Sequence, residues 1–251
     1  LAVDYTFDDG RMLYASYSRG YRSAAYCGQC FASAINTTRP EKVDAYEVGA
    51  KGRFLDKALT VSLSAFLMNY RNSQINETDG VQTLLVNVDK SRIKGIEFET
   101  ILAPTETLKL SLNGSYIDGK YQKAQLLFGS IAGNRIPYAP RFQASGKLDW
   151  RLASLGNATV NFTPSFVYSG LSYFTPYNKA NGNGNLKQGA NTKVNAQLSY
   201  DTSRYSIRVW VNNLFNEKTF ADGLDLRGSF GFDYLIQAPP RQFGVSFGYR
   251  F

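Results

Sequence analysis

The sequence predicts an all-β fold, an antiparallel transmembrane β-barrel, and three observations carry that prediction. Period-two alternation recurs along the whole chain of 251 residues. In "RFQASGKLDWR", Phe142, Ala144, Gly146, Leu148 and Trp150 share one face, and Gln143, Ser145, Lys147, Asp149 and Arg151 share the other. Short turns alternate with long polar connectors, the asymmetry of barrels with turns at one membrane face and loops at the other. Aromatics gather near strand ends, at Tyr14, Tyr17, Tyr21, Trp150, Tyr168, Tyr200, Tyr205 and Tyr249, where an interfacial girdle would lie.

Taken in order, the chain opens with a strand over 1–7 and the turn "DDG" at 8–10. The strand in "LYASYSRGYR" leads to a long connector over about 23–42, and "YEVGAKGRF" and "KALTVSLSAFLM" flank the turn "LDK" at 55–57. A long connector is expected over about 76–91, with residues 81–90 able to extend a neighbouring strand. "SRIKGIEFETI" and "TLKLSLNGSY" flank the turn at 104–107; in the latter Leu108, Leu110, Leu112 and Tyr116 oppose Lys109, Ser111, Asn113 and Ser115. After the connector at 120–140, "RFQASGKLDWR" and "NATVNFTPSFVY" flank the turn at 154–157. Beyond 170–191, "KVNAQLSYD" and "YSIRVWVNN" flank the turn at 201–204, and the connector at 214–241 leads to the final strand over 242–251. That makes eleven strands and no helix. Strands of roughly 10 residues suit a tilted membrane crossing, whereas soluble sandwiches use about 5 or 6.

Composition removes several function classes. No stretch nears the roughly 18 apolar residues of a membrane-spanning helix. There is no histidine, which excludes a Ser-His-Asp hydrolase and the commonest zinc ligand. A Ser-Lys or paired-carboxylate site has no supporting spacing, so no enzyme and no cofactor are expected. The net charge of +8 comes from Lys and Arg scattered singly among acids, without a basic block, so nucleic acid is not an expected partner. The chain starts on Leu1, and "LAVDYTF" has neither the basic start nor the apolar core of a signal peptide. It is expected to be a mature product or a piece of a longer one.

Several stretches resemble one family, the TonB-dependent outer-membrane receptors: "LYASYSRGYRSAAY", "RPEKVDAYEVGAKGRFLDKALTVSLSAFLMNYRNSQI", "SRIKGIEFETILAPTETLKLSLNGSY", "NRIPYAPRF", "VWVNNLFNEKTF" and "APPRQFGVSFGYRF". In the second, Glu41, Glu47, Gly49, Lys51 and Phe54 stand at the family's positions. The resemblance implies a 22-stranded barrel plugged by an N-terminal domain. Residues 1–251 would be a single domain, the last eleven strands, with the plug, the TonB box and the first half of the barrel absent. It further implies the outer membrane of a Gram-negative bacterium, with lipopolysaccharide and other outer-membrane lipid, the barrel-assembly machinery and the TonB energy-coupling complex as partners. The cargo would be a scarce bulky nutrient, a ferric siderophore first and a corrinoid or glycan next; a passive porin is the rival reading. In the terminal strand, Phe243, Val245, Phe247, Tyr249 and Phe251 resemble the signal read by the assembly machinery.

Candidate site residues lie on the long connectors. Exposed loop aromatics beside amides can stack on a ligand and orient it, which singles out Tyr26, Phe31, Tyr173, Phe174, Tyr177, Asn178, Phe220 and Tyr234. Loop-on-loop packing is the alternative for each. Cys27 and Cys30 form a C-x-x-C whose setting favours a small loop disulfide, a free or metal-binding pair being the alternative. Lumen-facing charges are expected at Glu47, Lys51, Arg53, Glu97, Glu99, Lys147, Asp149, Arg151 and Arg208. The positive balance would suit either an anionic ferric chelate or surface-lipid phosphates.

Overall fold

The computed structural model describes residues 1–27, 37–78, 83–179 and 184–251, without the side chains of 228 and 229. Eleven strands form one antiparallel sheet in chain order: β1 (Ala2–Thr6), β2 (Met12–Arg22), β3 (Glu41–Phe54), β4 (Leu59–Thr78), β5 (Thr83–Thr105), β6 (Leu108–Lys123), β9 (Phe142–Leu155), β10 (Ala158–Ser169), β13 (Asn191–Asp201), β14 (Tyr205–Asn212) and β17 (Gln242–Tyr249). Small ribbons sit within the long connections: β7 (Gln125–Leu126) with β8 (Gly129–Ser130), β11 (Ser172–Tyr173) with β12 (Lys187–Gln188), and β15 (Phe220–Asp225) with β16 (Asp233–Gln237). One turn of helix, α1 (Arg227–Phe230), interrupts the all-strand expectation between β15 and β16.

Register fixes the two faces. Leu13, Ala50, Leu63, Phe98, Gly114 and Ala144 stand opposite one another across β2 to β9, and Trp150, Phe162, Leu198, Val209 and Val245 do so across β9 to β17. Most of this set is solvent-exposed in the isolated chain, and an apolar exterior of this kind requires lipid against it. Aromatics bound the band: Tyr17 packs on Tyr46 and Tyr116 on Phe142 towards the long connections, while Trp150, Tyr200 and Tyr205 lie towards the short turns. Phe142 and Trp150 mark the two edges on β9. At roughly 3.4 Å per residue they are about 27 Å apart along the strand, which at a tilt of about 35–45° spans about 19–22 Å of height, close to the roughly 25 Å apolar band of such barrels.

Tyr14 departs from the girdle expectation. Alternation turns it to the opposite face, where its ring covers Gly49 and its hydroxyl donates to Glu47 Oε1 at 2.6 Å. All nine charges expected in the lumen lie on that inner face by register, where Lys147 pairs with Asp149 at 2.8 Å. Trp210 on the same face lies over Gly244 and donates to Ser246 Oγ at 3.3 Å.

Of the connector expected over 76–91, the described residues 76–78 and 83–91 are instead ladder, in line with the extension allowed for 81–90: β4 and β5 pair from Leu59↔Leu102 out to Thr78↔Thr83. The period of two simply continues, and Ile75 opposite Val86 supplies the apolar pair that keeps the hairpin together above the membrane. A crossing needs only about 9 to 11 residues, so much of this hairpin projects beyond the band.

Candidate functional site: a cavity among the long connections

The buried apolar core lies at the loop end and not in the wall. Val88, Tyr121, Ala124, Leu126, Ile131 and Tyr177 are buried together, with Ile75, Val86 and Ile136 packed on them. The projecting hairpin is therefore clamped by two long connections, the one between β6 and β9 and the one between β10 and β13. Asn178 seals them: its Oδ1 accepts the Arg135 N–H at 2.8 Å and its Nδ2 donates to the Arg135 carbonyl at 3.0 Å. The Tyr138 N–H donates to the Tyr173 carbonyl at 2.9 Å.

These segments enclose a cavity of about 550 Å³, which also takes part of its wall from β15. Its apolar lining includes Ile75, Tyr121, Ile136, Tyr138, Phe174, Tyr177 and Leu224, and its charged lining residues are Glu77 and Asp225. Ligand pockets are commonly about 300–1,000 Å³, mostly apolar with a few placed polar groups. Two phenol–carboxylate bonds frame it. The Tyr177 hydroxyl donates to the buried Glu77 carboxylate, which also accepts the Leu127 N–H at 2.7 Å. The Tyr138 hydroxyl donates to Asp222 Oδ1 at 2.5 Å. Burial, reinforced by the adjacent carboxylate, pushes both phenols well above the ordinary tyrosine range, so they remain protonated donors.

Among the described residues no Lys or Arg lines the cavity. Arg227 bridges Asp225 at 2.8 Å and Asp233 at 2.9 Å. Arg135 donates to the Leu171 carbonyl at 2.9 Å and lies over the Tyr173 ring at 5.7 Å.

Of the aromatics singled out from sequence, Phe174 and Tyr177 line the cavity. Tyr173 is buried under Arg135, and Asn178 is spent on joining the loops. Phe220 and Tyr234 are exposed on the β15–β16 ribbon, and Tyr26 is exposed beside an isolated bridge to Thr37. Cys27 is not a free thiol, while Cys30 and Phe31 lie outside the described residues. Phe243, Val245, Phe247 and Tyr249 face outward on β17, and Phe251 lies beyond it. Sequence reasoning passed over Glu77, because residues 76–91 were read as a connector. The alternation of Val86 and Val88 about Asn87, on the strand that faces it, was the available signal.

A wall with an apolar exterior, aromatic belts and a loop cavity at one end defines the class: part of a membrane-spanning antiparallel β-sheet of the barrel kind. The chain belongs to the TonB-dependent receptors, since the family model for the TonB dependent receptor-like β-barrel matches residues 1–214. It is 25% identical over 233 residues to the ferrichrome outer membrane transporter/phage receptor of Escherichia coli K12, covering 91% of this chain and 29% of that one. It is 27% identical over 155 residues to the ferrioxamine B receptor of Salmonella typhimurium, covering 61% of this chain and 20% of that one. In fold it is similar to the ferric yersiniabactin uptake receptor FyuA of Yersinia pestis, with a TM-score of 0.83 at 20% identity over 98% of this chain and 36% of that one. The chain thus spans about a third or less of the length of these relatives.

Proposed function

We propose that these strands form the C-terminal wall and part of the ligand vestibule of an outer-membrane receptor that captures a ferric siderophore for TonB-driven uptake. The observation that carries this reading is the cavity at the loop end, aromatic, partly enclosed and supported by its own core. Relatives named for ferrichrome and ferrioxamine B support the cargo class. Insertion by the barrel-assembly machinery through the β17 aromatics and coupling to TonB through a plug domain belong to the same reading. Replacing Tyr173, Phe174 and Tyr177 together with Ala in the full-length protein should weaken binding of a ferric chelate at least tenfold without lowering barrel yield. Unchanged affinity would remove the cavity from the reading.

The lining also supports one class of chelate over another. A ferric hydroxamate is formally uncharged, because each bidentate group gives up one proton. A ferric catecholate is a polyanion, because each gives up two. At an effective dielectric near 20, unit charges about 6 Å apart interact by about 3 kcal/mol. Asp225 is paired with Arg227, which leaves the Glu77 carboxylate facing the ligand with no lining cation, and a polyanion is disfavoured there. Equilibrium titration should give at least tenfold tighter binding of a ferric trihydroxamate than of a ferric tricatecholate. Equal or reversed preference would overturn the charge argument, and binding of neither would overturn the siderophore reading.

A further inference from the structure

Four hydroxyl-bearing side chains line the cavity, those of Tyr121, Tyr138, Thr175 and Tyr177, and two of the four are spent within the protein. Tyr138 donates to Asp222 and Tyr177 to Glu77. Among the described residues the hydroxyls of Tyr121 and Thr175 have no hydrogen-bond partner. Tyr121 is 4% exposed and packs in the loop core with Val88, Ala124 and Ile131. Burial alone raises its phenol above the ordinary tyrosine range, so it stays a protonated donor. The Thr175 Oγ1 is itself buried. Buried side-chain polar atoms are paired in the large majority of cases, and two unpaired hydroxyls on one cavity therefore require an account.

Both residues sit on backbone that the fold holds still. The Tyr121 N–H donates to the Asn134 carbonyl at 3.0 Å, and the Tyr121 carbonyl accepts the Gly133 N–H at 2.8 Å. The Thr175 carbonyl accepts the Asn178 N–H and the Asn178 Nδ2, each at 3.3 Å. At Thr175 the hydroxyl and the methyl exchange places by one rotation about χ1, so the hydroxyl reaches the cavity with no movement of the main chain. Donors held in this way lose little freedom when a ligand takes them up.

We propose that the Tyr121 and Thr175 hydroxyls are specificity-determining donors for the cargo, holding uncharged carbonyl-type oxygens such as the hydroxamate or amide oxygens of a neutral ferric chelate. The proposal rests on the reading of the cavity as the cargo site and adds which atoms select within it. A hydroxyl can donate to a carboxylate, a phenolate or a carbonyl oxygen. In the same cavity the Glu77 carboxylate has no lining cation to offset it and opposes an anionic acceptor, which leaves the carbonyl type. A site built to hydrogen-bond its ligand discriminates strongly, because a missing donor or acceptor leaves the other partner buried and unpaired.

The test uses the full-length protein in detergent, titrated with ferrichrome as an uncharged ferric trihydroxamate carrying amide carbonyls. Tyr121→Phe and Thr175→Val remove the hydroxyls at nearly constant shape. Each should weaken binding by at least about fivefold, and the double variant by more. Thr175→Ser keeps the hydroxyl and should keep the affinity. Hydrogen exchange at Leu127 and Ile131 should match the unaltered protein in every variant, because neither hydroxyl holds a loop in place. Heat-resistant electrophoretic mobility verifies the barrel, and should Tyr121→Phe lack it, Thr175→Val against Thr175→Ser decides. Unchanged affinity in either hydroxyl-deleting variant would overturn the proposal and leave the cavity as the cargo site. Accelerated exchange in Tyr121→Phe would overturn it too, by giving that hydroxyl a structural duty. Failure of the unaltered protein to bind ferrichrome would overturn the cargo reading and this proposal together.

Discussion

Replacing Gly95 with valine is expected to abolish accumulation of the folded barrel. Gly95 lies mid-strand on the inner face of β5, between Phe66 of β4 and Ile117 of β6. A Cβ there would stand 2.5 Å from the Tyr116 carbonyl oxygen and 2.8 Å from the Phe66 ring. The ring can turn, but the carbonyl belongs to the sheet backbone, held in place by the ladders that β5 and β6 form on either side. Overpacking of this kind typically costs about 1–3 kcal/mol for a modest group, and valine adds two methyls to a contact already too short. Outer-membrane fractions compared unheated and heated by electrophoresis should lack the compact band in Gly95→Val. Gly189→Val is the matched control, since nothing lies within 4 Å of that position. A normal compact band from Gly95→Val would show that the β5–β6 spacing adjusts freely.

The second large effect is at Tyr177. Its hydroxyl donates to Glu77 and accepts the Phe128 N–H at 3.2 Å, so one oxygen joins the β10–β13 connection, the projecting hairpin and the β6–β9 connection. Tyr177→Phe keeps the ring and deprives a buried carboxylate of a hydrogen bond, a loss of roughly 1.5–3 kcal/mol. Tyr177→Ala also empties the ring's place against Phe128, which raises the loss to about 3–5 kcal/mol. Because this core is separate from the membrane ladder, both variants should keep heat-resistant mobility. Hydrogen exchange at Leu127 and Ile131 should accelerate in both, more in the alanine variant. Unchanged protection would mean that the loop core holds without the Tyr177–Glu77 bond.

The wall was legible in the sequence because alternation is a local property. "RFQASGKLDWR" assigns its own two faces, and register then carried all nine expected inner charges to one side. Tyr14 was misjudged for a related reason: position near a strand end locates depth, while parity alone decides the face. The hairpin above the membrane was read as a connector because its polar residues dominate the composition, although the period of two survives in it.

The cavity was only half legible. Phe174 and Tyr177 stood out as loop aromatics, but Glu77, Tyr138 and Asp222 are brought together by three connections distant in sequence, which no local pattern encodes. The same holds for charge. The sequence by itself determined an eleven-strand sheet with one lipid face, one polar face and a net charge of +8. Only the tertiary structure decided where that charge goes. Ladder register stacks Lys42, Arg71 and Lys90 outside the wall, and loop packing sets Glu77 and Asp225 in the cavity, because electrostatic partners follow spatial neighbours and not sequence order.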